Sequence, residues 1–158
     1  MRKQLFGSAP GHSSEPPGTW LNVEEIATVE MSSEDPRFPI ELAFNGKEDD
    51  GWRAAEPGQQ NLRLVFDKPQ DLHRIRLHFS ESTVERTQEF SLRWSAKGTD
   101  QLQDIVRQRW NFSPAGGSSV EIEDYKVNLP KVMILELSIQ PDLDRNMAVA
   151  SIQDWRLA

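Results

Sequence analysis

The side chains with the most recognisable chemistry lie in polar stretches between apolar runs. They are Trp52 and Arg53, then Arg86 with its neighbours Glu81 and Gln88, then Trp110 with Asn111. An indole offers an apolar face to a sugar ring, and arginine or asparagine fixes hydroxyls, so this set suits a carbohydrate or similar small polar ligand. A packing role stands open beside that one for each tryptophan: Trp52 sits in a long polar stretch that needs an anchor to the core, and Trp94 and Trp155 fall on apolar faces. Nucleophile elbows and phosphate loops have no match in the chain. Zinc chemistry has little to work with: there is no cysteine, and His73 and His78 are five apart, which on a strand points them to opposite faces. Asp142, Asp144 and Asn146 match the opening of a helix-loop-helix calcium site, but Met147 replaces its glycine and Gln153 its closing glutamate. Glycosidases need only two carboxylates about 5–10 Å apart, and the 25 acidic residues leave that chemistry open.

The elements that position these groups read as strands. Leu62, Leu64 and Phe66 alternate with Arg63 and Val65; Ile75, Leu77 and Phe79 alternate with Arg74, Arg76 and His78; Phe90, Leu92 and Trp94 alternate with Ser91 and Arg93. A period of two means one buried and one wet face. Three such runs, separated by a proline-containing turn and a polar loop, predict an antiparallel meander. The run 132–139 is the most apolar and is expected to be central. Residues 20–31 read as a first strand region, 40–44 as a short helix or strand, 45–58 as a long polar loop, 102–112 as a strand and 149–157 as a closing strand. Within 120–129 the apolar positions change parity, from Val120 and Ile122 to Tyr125, Val127 and Leu129, which predicts a bulge or bend. The whole predicts an all-β fold, an antiparallel sandwich or jelly roll of about eight strands.

A chain of 158 residues with 37% hydrophobic residues, ten prolines and nine glycines suits one loop-rich domain, residues 19–158, behind a Gly/Ser/Pro-rich arm, residues 1–18, expected to be disordered. The net charge of −7 argues against a nucleic-acid binder. Arg63, Arg74, Arg76, His78 and Arg93 share the polar side of the strands, either as a solvated face or as a patch for an anion or an acidic protein partner. No apolar run reaches the roughly 18 residues of a membrane helix. With no cysteine and no signal-peptide core, a cytoplasmic location is expected.

Four pieces, in order, resemble the discoidin-type (coagulation-factor C-type) domain of the galactose-binding-like jelly rolls. Ala43-Phe44-Asn45-Gly46 with the downstream Trp52 is similar to that family's Asp-Gly loop. The stretch 62–70 is similar to its strand and short turn, 90–98 to its strand and hairpin, and 150–155 to its closing strand. The chain departs from the family in lacking the end-to-end disulfide, in Lys97 at the hairpin aspartate, in Leu102 at a common tryptophan and in Glu136 on a strand that often carries arginine. The resemblance implies a non-catalytic module for sugars, lipids or proteins. It also implies a candidate structural calcium between the Asp-Gly loop and the last strand, at Asn45, Asp49, Asp50 and Asp154. The reading is therefore a binding module for a carbohydrate or small polar ligand through its end loops, using Trp52, Arg53, Arg86, Trp110 and Asn111. Its alternative is a protein-interaction or assembly domain using the arginine-rich face.

Overall fold

Alternating side chains and a few bends account for the architecture of the computed structural model, which describes residues 20–47, 50–99 and 101–158. The arm, residues 1–18, lies outside the described residues. Eight strands form: β1 (Ala27–Met31), β2 (Trp52–Pro57), β3 (Gln60–Ser80), β4 (Arg86–Ala96), β5 (Gln103–Phe112), β6 (Val120–Gln140), β7 (Val149–Ile152) and β8 (Asp154–Leu157). Two helical turns, α1 (Val23–Ile26) and α2 (Glu41–Phe44), close the gaps between the early strands. No described helix is long and apolar enough to cross a membrane.

The strands β3 and β6, 21 residues each, carry the fold. In its first half β3 lies between β1 and the second half of β6, with Leu64 opposite both Val29 and Leu135. In its second half it lies between β8 and the first half of β6, with Leu77 opposite both Trp155 and Glu123. The second half of β6 also pairs with β4, and β4 with β5, giving the order β1-β3-β6-β4-β5; β2 and β7 form a separate pair. The two halves face each other across one core: the ring of Phe79, from the far half of β3, lies 5.2 Å from that of Phe90 on β4. Truncating either ring to alanine should cost roughly 3–5 kcal/mol.

Three expectations are corrected. The runs 62–66 and 74–79 are not paired strands of a meander. They are two halves of β3, and the neighbour of β3 is β6 rather than β4. Pro69 does not turn the chain. The register between β3 and β6 shifts around Gln70 and Leu72, and the amides of His73 and Arg74 both donate to the carbonyl of Ala158, which is a bulge that bends β3 from one half to the other. The polar stretch 45–58 is not all loop, because it contains β2. The irregularity expected in 120–129 is present, since the register with β3 shifts between Lys126 and Leu129, opposite Arg74 and Leu72; ahead of it Glu121, Glu123 and Tyr125 pair with Phe79, Leu77 and Ile75 and share the core face, while Val120 and Ile122 point outward and are exposed. The expected central place of 132–139 holds: its inner face carries Leu135, Leu137 and Ile139.

Candidate functional site

Three connections end together at one end of the sandwich and enclose a cleft of about 590 Å³. The lead-in to β2 supplies Asp50 and the start of β2 supplies Arg53, the β3–β4 link supplies Glu81 to Val84, and the β6–β7 link supplies Asp142, Arg145 and Met147, with Ser151 and Gln153 behind them. Each wall is fixed by local chemistry. Gly51 enters β2 at φ +71°, and a Cβ there would meet the Ile152 carbonyl oxygen at 2.2 Å and Gln153 Cα at 2.5 Å, so only glycine lets this wall lie against the end of β7. Glu81 organises the second wall: one carboxylate oxygen accepts from the amides of Thr83 and Val84 and the hydroxyl of Thr83, and the other accepts from Arg86 Nε at 2.7 Å. Burial raises the Glu81 pKa, but these hydrogen bonds outweigh it and the net displacement is downward, so Glu81 is ionised at neutral pH. The third wall is tied by Leu143 N donating to Thr87 O and by Asp144 N donating to Asp142 Oδ1. The Ser80 hydroxyl bonds Gln153 Oε1 at 2.8 Å across the floor.

Most of the other described arginines are held in ion pairs. The arginine-rich sheet face is not a free cationic patch: Arg63 and Arg93 both bind Glu136, Arg74 binds Asp124, and Arg76 and Arg156 both bind Asp154. Glu136 is nearly enclosed; burial raises its pKa, and the hydrogen bonds from Arg63 and Arg93 pull it back below the ordinary carboxylate value. The glutamate that departs from the family pattern is therefore the counter-ion of two strand arginines. Arg107 and Arg109 lie against Glu89, Arg86 against Glu81, and Arg37 against Asp35.

Of the residues singled out from the sequence, Arg53 lines the cleft, with its guanidinium 4.7 Å above the Phe38 ring. Arg86 and Asn111 line a neighbouring hollow of about 380 Å³ together with Asp142 and Arg145. There Arg86 is buried, donates to Glu81, Gln88 Oε1 and Pro141 O and lies over the Phe112 ring, so its Nε and Nη1 donors are spent inside the protein. Asn111 is exposed and accepts from the Thr87 hydroxyl. Trp52 is wholly buried, and of its two readings the structure places it as the anchor of the loop to the core. Trp110 packs on the inner side of β5 opposite Gln88 and lines no described cleft. Arg145, Thr83, Met147 and Gln153 were not singled out as ligand contacts. Nothing in their local sequence says that the 142–147 loop folds over the 80–84 loop; that follows from the pairing of β6 with both β3 and β4.

Among the described residues the calcium candidates do not gather into a cage. Asn45 Oδ1 accepts from the amide of Lys47, Asp50 is exposed, and Asp49 lies outside the described residues. The Asp154 carboxylate is buried and is met by the Nε of Arg156 at 2.7 Å and by Arg76 at 3.3 Å, while the other end of the Arg156 guanidinium donates to the carbonyl of Gly46. A guanidinium thus joins the Asn45-Gly46 turn to the last strand, and among the described residues no three acidic or histidine side chains converge. Calcium prefers about six to eight oxygens, a set that the described acidic side chains alone do not assemble.

One acidic pair stands apart. Glu121 lies on the core face of β6, fully enclosed; burial first, then its hydrogen bond with Glu123 and that residue's charge, push its pKa up to about 8, against the pull of Gln88 and Arg86. The same surroundings raise the pKa of the neighbouring Tyr125, chiefly by burial. Neither glutamate lines the end cleft.

No protein-family model matches the sequence, and no curated protein matches it. Solved structures do resemble it. A family 32 carbohydrate-binding module from Clostridium perfringens, in complex with GalNAc-β-1,3-galactose, superposes with a TM-score of 0.63 at 17% identity, over 87% of this chain and 98% of that one. The corresponding module of AlyQ, in complex with 4,5-unsaturated mannuronic acid, gives 0.61 at 14% identity over 84% and 95%. Reduced XRCC1, bound to the catalytic domain of DNA polymerase β, gives 0.59 at 14% identity over 84% and 95%. The likeness establishes the fold alone: an antiparallel jelly roll with the discoidin-like, galactose-binding-like architecture.

Proposed function

We propose that the protein is a non-catalytic carbohydrate-binding module whose ligand sits in the end cleft. The cleft itself carries this reading: about 590 Å³ between three connections, with hydroxyl, amide, carboxylate and guanidinium groups from Thr83, Gln153, Asp50, Arg53 and Arg145 around it. Val84, Met147 and Val149 add exposed apolar surface, a place for the CH face of a sugar ring where no described aromatic side chain lines the cleft. Two of the similar structures hold sugars, which supports the reading. The Glu121–Glu123 pair lies outside the cleft, so the reading assigns it no catalytic part. In this reading Arg156 bridges the Asn45-Gly46 turn and the last strand, where a structural calcium was expected.

Binding of a sugar panel, followed by isothermal titration and by the melting temperature, tests the reading; a native-state ligand raises stability by mass action. Binding lost in Thr83→Ala and Gln153→Ala, with melting unchanged, supports the cleft. A panel in which no sugar binds removes the reading.

A protein-interaction role is favoured by one observation: Met147 is 82% exposed, beside exposed Val84 and Val149 at the same end. XRCC1, of the same fold, was solved with a protein partner. Self-association or partner capture that Met147→Asp abolishes would move the assignment to that role.

A further inference from the structure

The ion pairs single out two arginines. Of the eleven arginines among the described residues, nine lie within ion-pair distance of a carboxylate. The two with no such partner among the described residues, Arg53 and Arg145, both line the end cleft. They reach it from different connections, Arg53 from β2 and Arg145 from the β6–β7 link, so their convergence is a product of the fold and not of one basic run.

The acidic groups around them form no ion pair with them. The Asp35 carboxylate feels the charge of Arg53 but is held by Arg37 at 2.8 Å. Glu81 is engaged by Arg86 and by the amides of its own loop. Asp142 is 4% exposed and one of its oxygens is held by the amide of Asp144. Asp50 stands exposed at the mouth, beyond ion-pair distance of either arginine. Arg53 is also held in place, by its contact with the Phe38 ring and by the hydrogen bonds of its backbone with Asp35 and Phe38. An unpaired, positioned guanidinium is a planar fork that matches a carboxylate with two parallel hydrogen bonds.

We infer that the ligand of this cleft is an acidic sugar, its carboxylate taken by Arg53 and Arg145 and its hydroxyls by Thr83, Gln153 and Asp50. This rests on the carbohydrate reading above and narrows it to one chemical class. In a chain of net charge −7, two arginines without a carboxylate partner in one concave place give an anion a local reward there.

The test compares galacturonic acid, its methyl ester and galactose by titration into the whole chain at low and at moderate salt. These probes share the ring and hydroxyl pattern and differ at C6. A charge-assisted pair should favour the acid over the ester by about tenfold, less at the higher salt. In Arg53→Gln and in Arg145→Gln, each checked for an unaltered melting temperature, that ratio should fall towards one. Galactose or the ester binding as tightly as the acid overturns the inference and leaves the carbohydrate reading standing. Inorganic phosphate displacing the acid at equal concentration overturns it too, since the cleft would then be a general anion site. No binding of any of the three sugars, with a neutral sugar of the wider panel bound, again removes the acidic class alone; no sugar bound at all removes both.

Discussion

Replacing Glu121 with glutamine should stabilise the protein in mild alkali and do little in mild acid. The carboxyl is enclosed on the core face of β6, with Glu123 on the same strand, Gln88 and Arg86 approaching from β4, and Tyr125 beyond Glu123. Its pKa is pushed from the ordinary 4.5 to about 8, so between those values the folded state holds a proton that the unfolded state has lost. The stability contributed by the protonated form is complete below about pH 4.5 and falls as the pH rises through 8, at up to about 1.4 kcal/mol per pH unit. The full span sets a ceiling of roughly 5 kcal/mol. Glu123 shares the proton and Arg86 offsets part of the charge, so about 2 kcal/mol is expected at pH 8.5. Glutamine keeps an oxygen for Gln88 Nε2 and needs no proton. Thermal melts of parent and Glu121→Gln from pH 5 to 8.5 should coincide within a degree or two at the acid end. They should diverge by roughly 4–8 °C in favour of the variant at pH 8.5. A constant difference across that range, or a variant less stable at pH 8.5, would show that the enclosed carboxyl does not titrate there and refute the reasoning.

Gly51→Ala should cost roughly 3–5 kcal/mol in urea unfolding, because its Cβ strikes the backbone of Ile152 and Gln153 and its φ is +71°. Glu136→Gln should cost about 1–2 kcal/mol near neutral pH by leaving Arg63 and Arg93 without their shared carboxylate. Since the Glu136 pKa is lowered on folding, its contribution is present above about 4.5 and fades as the pH drops through the lowered value, so the two proteins should converge in acid melts. Calcium and a chelator should leave the parent's melting temperature unmoved, while Arg156→Gln should cost roughly 2–3 kcal/mol by taking from buried Asp154 the nearer of its two guanidiniums. A calcium-dependent rise in the parent would contradict the place given to that guanidinium.

Much of the sheet was legible because a strand with one buried face writes a period of two into the chain. The alternation at Leu62–Phe66, Ile75–Phe79 and Phe90–Leu92 is the observed inner face. What the pattern could not carry was connectivity. Pro69 and Pro130 look like turn residues, yet each lies inside a long strand where the sheet bends and the register shifts, so the missing amide costs little. The first half of β6 misled for another reason. Its apolar side chains Val120 and Ile122 face out, because the pairing of β6 with Phe79 and Leu77 fixes which parity faces the core, and that parity brings in Glu121. At the site, Arg53 was legible as a charged residue beside a loop, whereas Trp52 one position earlier turns fully inward. Arg145 had no local signal at all. Its importance lies in lacking an ion pair where nine other arginines have one, a property of the assembled charges and not of its neighbours in the chain.

The most direct measurement is an amide-resolved NMR titration of the labelled chain with galacturonic acid and with a neutral sugar bound in the panel. A ligand in the end cleft should move the signals of Arg53, Thr83, Arg145, Met147 and Gln153 together, with a single dissociation constant, and leave those of the Glu136 face in place. Shifts centred on Arg63, Arg93 and Glu136, or saturating binding with the cleft signals unmoved, would contradict the end-cleft assignment.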